Sequence, residues 1–164
     1  LKATMEAKDI FTQSSVLFDD EDEDATWWST IEIATVPSVS KRKANTELFH
    51  LRMFAVGIAI FSSFDGEVRT SLRDEIYFYV KKHRPEIADQ VSSRQQAYGE
   101  VWANSSDLNP DLPQSYWVVK KFSEFCGFEP DLVVQHVLTA KFLRQITIMK
   151  KYFSEIQEIY RIVP

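Results

Sequence analysis

Glycine and cysteine are scarce in this sequence of 164 residues. Its four glycines are too dispersed for a glycine-rich phosphate loop, and together with six prolines they exclude collagen-like and low-complexity chains. The one cysteine, Cys126, has no second cysteine with which to form an intrachain disulfide. Because a chain without disulfides fits a reducing compartment, we expect a cytoplasmic protein.

Long hydrophobic runs are also missing. The longest, Met53–Phe61, is much shorter than the ~20 residues that a bilayer-spanning helix needs, and the first residues do not follow a signal-peptide pattern. The net charge of −5 and the pI near 5.2 disfavour nonspecific binding to nucleic acid or to an anionic membrane. We therefore expect that the protein does not bind a membrane, and we do not expect nucleic acid to be its partner.

Hydrophobic and aromatic residues are abundant, at 45% and 13%, as expected for a folded domain with a sizeable core. Acidic charge is concentrated in residues 1–46, which contain five Lys or Arg against nine Asp or Glu, whereas residues 47–164 contain fourteen against fifteen. We divide the chain into an acidic, partly irregular N-terminal arm, 1–46, and a helical domain, 47–164.

The helical domain shows apolar residues at every third or fourth position, with glycine, proline and aspartate between the segments. The predicted helices span 47–64, 71–84, 85–103, 115–126 and 130–161. Gly127 is expected to end the fourth helix in a left-handed conformation, and Asp131 to open the fifth. This pattern predicts an all-α fold, a compact bundle or orthogonal array of about five helices.

The first predicted helix, 47–64, is apolar nearly all round, which is typical of a helix in the middle of a core. Asn45 or Thr46 is its predicted N-cap. Gly57 lies inside it, where glycine costs about 1 kcal/mol relative to alanine. We therefore expect another helix to cross closely at Gly57.

The last predicted helix contains a heptad pattern. Its apolar positions alternate in steps of four and three: Phe142, Ile146, Met149, Phe153, Ile156, Tyr160 and Val163. Such a seam needs a partner helix, either within the fold or in a second copy of the chain. For a homodimer, the predicted self-association residues are Met149, Phe153, Ile156 and Tyr160.

The N-terminal arm has a run of six acidic residues, 19–24, followed closely by Trp27 and Trp28. Aromatic anchors beside charge are typical of segments that dock into a partner's groove while the charge aids encounter. We predict partner contacts by Trp27, Trp28, Asp22 and Asp24. The alternative is an arm folded back on its own domain.

Residues 85–102 loosely follow the spacing of a helix-turn-helix, which is the second functional hypothesis. In that arrangement Arg94, Gln95 and Gln96 would face base edges, because arginine reads guanine and glutamine reads adenine. Ser92, however, stands where a glycine usually permits the turn. One uninterrupted helix explains the same residues with fewer assumptions.

A metal-binding helical-bundle enzyme is the third hypothesis. Glu47 and His50 match the Glu-x-x-His spacing that places two ligands on one helix face, but di-iron bundles need two such motifs and the sequence has one. His83 and His136 are on other predicted segments and would have to converge with His50. We predict no metal, cofactor or catalytic residue.

These observations favour a non-enzymatic, intracellular protein-interaction or regulatory module. Its predicted partner is another protein or a second copy of the chain. The helix-turn-helix and the metal-binding bundle remain as alternatives.

Overall fold

The structure, a computed structural model, describes residues 2–13, 21–34 and 40–164. In these residues the chain forms eight helices and one small sheet, which confirms the all-α class with more helices than the five expected. In chain order the elements are β1 (Ala3–Glu6), α1 (Ala7–Gln13), α2 (Glu21–Ala34), α3 (Lys41–Ser63), α4 (Gly66–His83), α5 (Ala88–Ala103), α6 (Ser105–Leu108), α7 (Gln114–Cys126), α8 (Leu132–Ile159) and β2 (Tyr160–Val163).

The arm predicted to be irregular contains helix α2. The helix begins at Glu21, and no glycine or proline interrupts it. Trp27 and Ile31 are one turn apart and each is 1% exposed. The irregular arm is therefore a wrong prediction for residues 21–34, whereas 14–20 and 35–39 lie outside the described residues.

Helix α3 begins earlier than predicted. Ser40 is its N-cap residue, and its side chain makes no capping hydrogen bond. Asn45 and Thr46, the predicted caps, lie inside the helix, where the Thr46 hydroxyl donates to the Arg42 carbonyl at 3.0 Å. The helix starts upstream because Ala44, 1% exposed, already packs into the core.

Two apolar clusters form the interior, and α3 and α8 contribute to both. The terminal core contains side chains of β1, α1, α4, the start of α5 and mostly the C-terminal halves of α3 and α8: Met5, Ile10, Phe11, Ile60, Phe64, Leu72, Ile76, Val91, Met149, Phe153 and Ile156 among others. The tryptophan core contains side chains of α2, α5, α7 and mostly the N-terminal halves of α3 and α8: Trp27, Ile31, Leu48, Leu51, Tyr98, Val118, Phe122, Leu138 and Phe142 among others. Helix α3 is apolar nearly all round because it lies between these two clusters.

Among the residues that the structure describes, the close helix crossing expected at Gly57 is absent. A Cβ atom built on Gly57 would have nothing within 4 Å, leaving aside the glycine's own chain neighbours and the local helix backbone. This glycine is partly exposed and is not required by packing.

Both ends of α8 have identifiable causes. Gly127 ends α7 at φ 87°, the predicted left-handed conformation, and Asp131 caps α8 by accepting a hydrogen bond from the Val134 backbone N–H at 2.9 Å. At the other end the chain leaves the helix at Tyr160 and forms β2, which pairs in parallel with β1 from Ala3 opposite Tyr160 to Glu6 opposite Val163. The sheet was not predicted, and the helix expected to reach residue 161 stops at Ile159.

Candidate functional site

The solvent-facing side of α8 carries exposed apolar side chains along most of its length. Five of them lie within about half of the helix circumference, opposite the buried seam: Leu132, Val133, Val137, Leu143 and Ile148, which are 67%, 71%, 41%, 43% and 47% exposed. We call these residues, together with Arg144 among them and Lys151 about one turn beyond Ile148, the outer face. Apolar side chains gathered on one side of a helix and left in water are a candidate interaction surface.

The outer face is also positively charged. From Leu132 to Ser154 the sequence has no aspartate or glutamate. Arg144 is exposed and makes no ion pair within the described residues, and Lys151 is 3.7 Å from Glu155 in an exposed pair of little energetic weight. The surface therefore combines aliphatic contact area with cations.

Neighbouring helices touch α8 on both sides of this face. On one side the Lys141 ammonium donates to the Thr26 hydroxyl of α2 at 3.2 Å. On the other side the Gln135 side-chain amide donates to the Tyr116 carbonyl of α7 at 2.8 Å, and the His136 ring lies 6.2 Å from the Tyr116 ring. The outer face is thus a strip held in place by a packed helix.

The structure places Trp27 and Trp28 differently. Trp27 is 1% exposed and meets Phe122 edge to face at 6.0 Å, so it anchors α2 on its own domain. Trp28 is partly exposed, with the Lys41 ammonium 5.6 Å from its ring centre. Asp22 and Asp24 are in the first turn of α2, and their side chains are outside what the structure describes. Partner contacts by these four residues stay a prediction, and Trp27 has almost no surface to offer.

The predicted self-association residues belong to the terminal core. Met149 and Phe153 are fully buried, Ile156 is 9% exposed, and Tyr160 is half-buried at the start of β2. Phe153 packs edge to face on Phe64 of α3 at 5.2 Å. The seam therefore has its partner helix within the chain. Self-association through these residues stays a prediction, which sedimentation of the purified protein would test.

The three histidines do not come together. His50 is completely buried in α3, whereas His83 and His136 are exposed, each with its Nδ1 near the carbonyl one turn earlier. Glu47, the other proposed ligand, is bound by an arginine. In the three described stretches no group of three or more His, Cys, Asp or Glu is placed to hold a metal ion, so the convergence that the metal-binding alternative requires is not found there.

Residues 85–102 do not adopt the helix-turn-helix geometry. Helix α5 continues through Ser92 without interruption, as the preferred single-helix interpretation predicts. Arg94 is engaged with Glu47, and the Gln95 side chain donates to the His50 carbonyl at 3.0 Å. Gln96 faces Glu100 on its own helix. Two of the three supposed base-reading side chains therefore hold α5 against α3.

A buried polar cluster joins α3 to α5. Arg94 donates from Nε to Glu47 Oε2 at 2.8 Å and from Nη2 to Oε1 at 2.7 Å, while Glu47 is 3% exposed. Burial lowers the pKa of His50 to about 4, and the nearby Glu47 partly opposes that shift. The pKa values of Tyr98 and Cys126 are raised, first of all by burial. All three side chains are therefore neutral at pH 7.

No model of a protein family, no curated protein and no solved structure matches this chain. Within residues 2–13, 21–34 and 40–164, none of the helices has both the length and the hydrophobicity needed to cross a bilayer.

The sequence analysis missed the outer face. The heptad seam drew attention to one side of α8, although Val133, Val137 and Ile148 already showed a second series of apolar positions outside it. Two apolar stripes on one helix exceed what a single core contact requires. That excess was the available signal.

Proposed function

We propose that the chain is a non-enzymatic protein-interaction module that binds an acidic, apolar helix of a partner protein through the outer face. The single supporting observation is the combination of exposed aliphatic side chains with cations along one well-packed helix. A helix that presents apolar residues at positions i, i+3, i+4 and i+7 would cover this strip and remove its apolar surface from water.

Charge favours an acidic partner. Arg144 has no counter-ion within the described residues, and no carboxylate precedes Glu155 on α8. Carboxylates on the partner would complement these cations, raise the association rate and exclude basic competitors. The affinity itself would come mainly from the aliphatic residues at the centre, where water is excluded.

A protein partner fits the outer face better than a membrane does. Interfacial membrane helices separate a cationic side from an apolar side that is rich in large residues. On α8 the cation Arg144 lies among the aliphatic residues, Lys151 follows about one turn beyond Ile148, and the five exposed apolar residues of the face include no aromatic one.

The test uses two model helices with the same leucine pattern, one with glutamate and the other with lysine at the solvent-facing positions. Fluorescence anisotropy of the labelled peptides with the full chain should show binding of the acidic peptide alone. Val137→Asp should weaken that binding at least about tenfold, which is about 1.4 kcal/mol. The matched control is Phe78→Asp, because Phe78 is 66% exposed on α4, away from the outer face.

Equal binding of both peptides, or equal loss in both variants, would contradict the proposal. Vesicles with and without phosphatidylserine form a separate arm. Binding to the anionic vesicles without binding to the acidic peptide would assign the face to a membrane.

A cytoplasmic location is part of the proposal. Its support is that the sequence has a single cysteine, and that the Cys126 thiol is buried in the tryptophan core. Imaging of the tagged protein in its own cells would test this, and an extracellular signal would contradict it.

A further inference from the structure

A cleft of about 740 Å³ opens between the start of α3, the connection from α4 to α5, and α5 itself. It lies on a different part of the molecule from the outer face and shares no residue with it. The ionisable side chains that line it are Arg42, Lys43, Glu47, Arg84, Glu86 and Arg94.

The cleft is positive in a protein that is negative overall. Four cationic side chains face two carboxylates, which leaves an excess of two positive charges, whereas the whole chain carries −5. Concentrated charge of one sign in a concave site raises the local concentration of ions of the opposite sign. The cleft therefore attracts anions, although the molecule as a whole carries a net negative charge.

Two of the guanidinium groups are held in fixed orientations. Arg94 is bound to Glu47 through Nε and Nη2 and lies 4.0 Å from the centre of the Phe125 ring, so that Nη1 keeps its donors. Arg84 donates from Nε to Glu86 at 2.8 Å and lies 4.8 Å from the centre of the Phe49 ring. Groups oriented before a ligand arrives lose less entropy when they bind it.

Arg42 and Lys43 supply the unpaired charge. Neither side chain forms an ion pair with another residue of the described chain. Both are exposed at the beginning of α3 and line the cleft together with Arg84 and Glu86. A ligand can therefore recruit them without breaking an ion pair formed within the described residues.

We propose that this cleft binds the phosphomonoester group of an organic ligand. A phosphomonoester carries −1.5 to −2 charges at pH 7, about the excess that the cleft offers, and its oxygens suit the planar donor fork of arginine. Organic ligands occupy pockets of about 300–1,000 Å³, so the cleft has room for the group that bears the phosphate. Ile87 contributes apolar lining for that part.

The test compares ligands that differ in charge alone as far as possible. Adenosine monophosphate and cyclic adenosine monophosphate share a base and a sugar, but one is a monoester and the other a singly charged diester. Calorimetric titration of the full chain should show one site that prefers the monoester at least about fivefold. O-phosphoserine and a phosphoserine peptide form two further arms, which distinguish a small phosphate ester from a phosphorylated protein.

The variant Arg42→Gln/Lys43→Gln should weaken monoester binding at least about tenfold. Its matched control, Arg73→Gln/Lys81→Gln, removes the same residue types from exposed positions on α4. The control should stay within twofold of the unmodified chain, and circular dichroism should show native helix content in both.

Three results would overturn the inference. The first is no monoester binding tighter than a Kd of about 1 mM, and the second is equal binding of monoester and diester. The third is an equal loss in both double variants, which would show a diffuse effect of net charge. None of these results bears on peptide binding by the outer face, so this inference and the proposed function can fail separately.

Discussion

The terminal core and the tryptophan core use the same two long helices but bury different chemistry. In the described residues, β1, α1, α4 and the second halves of α3 and α8 bury apolar side chains alone. The eight buried polar or charged residues of the described part of the chain lie in α6, α7 or the first halves of α3 and α8: Glu47, His50, Arg52, Ser105, Ser115, Ser123, Gln135 and Thr139.

This difference separates two means of stabilising a helical fold. Apolar burial is non-directional and tolerates changes that conserve volume, whereas buried polar groups fix one arrangement because each unsatisfied group costs free energy. The terminal core should therefore contribute mainly to stability. The region around Glu47 and Arg94 should define how α5 packs on α3, and it is this packing that shapes the cleft.

The largest effect is expected for Phe153→Asp in the terminal core. Loss of a buried phenylalanine costs about 3–5 kcal/mol, and an unpaired carboxylate in apolar surroundings adds to that. Because domains are stable by about 5–15 kcal/mol, we expect the variant to lose most of its helix content in circular dichroism at 25 °C. The control variant Phe78→Asp, at an exposed position, should unfold at the same urea concentration as the unmodified chain.

A folded Phe153→Asp variant that differs from the parent only in a smaller sedimenting species would contradict this expectation. It would instead support self-association through the seam.

On the polar side, Arg94→Met should destabilise the chain by about 3–5 kcal/mol, because it leaves the Glu47 carboxylate buried without its cation. Denaturant unfolding measures the change. The double variant Glu47→Leu/Arg94→Met should recover most of the loss, since it removes both charges. A single variant as stable as the parent would show that solvent already screens Glu47.

His50 gives the polar region a pH dependence that the terminal core lacks. Its pKa falls from 6.5 to about 4 on folding, so the unfolded chain binds the proton more tightly. The contribution of neutral His50 to the free energy of unfolding is therefore complete above pH 6.5. It is lost as the pH falls toward 4, by up to about 3 kcal/mol at 1.36 kcal/mol per pKa unit. Urea midpoints from pH 7.5 to 4.5 measure this loss. His50→Leu should flatten the profile between pH 6.5 and 4.5, and an unchanged slope would assign it to other groups.

The smallest effect is expected for Gly57→Ala in the part of α3 next to the terminal core. The new methyl group meets nothing within 4 Å, and alanine restricts the unfolded chain. The variant should be more stable by about 0.5–1 kcal/mol in thermal unfolding. A loss of stability would show that a neighbour approaches Gly57 after all.

Local signals explain how much of the fold could be predicted. Asp131 and Gly127 act through their own backbone neighbourhoods, so the ends of α7 and α8 followed from the sequence. Helix α2 was missed because its support is the burial of Trp27 against Phe122, a contact far apart in the chain. The local sequence pattern does not predict contacts between residues that are distant in the chain.

The candidate sites show the same limit. The aliphatic residues of the outer face are visible in the sequence, but their exposure depends on which side of α8 the other helices cover. The cleft brings Arg42, Arg84 and Arg94 together from three separate segments. Neither arrangement follows from spacing along the chain.

The parallel pairing of β1 with β2 has a mechanical consequence. Tension applied between residues 2 and 164 would pull β1 from its Ala3 end and β2 from its Val163 end, in opposite directions along the strand axis. The hydrogen bonds between the strands would then bear the load together and rupture together, instead of opening one after another. Single-molecule stretching would record this rupture as one force peak before the helices unfold. A gradual extension without a peak would show that the β1–β2 pairing bears no load.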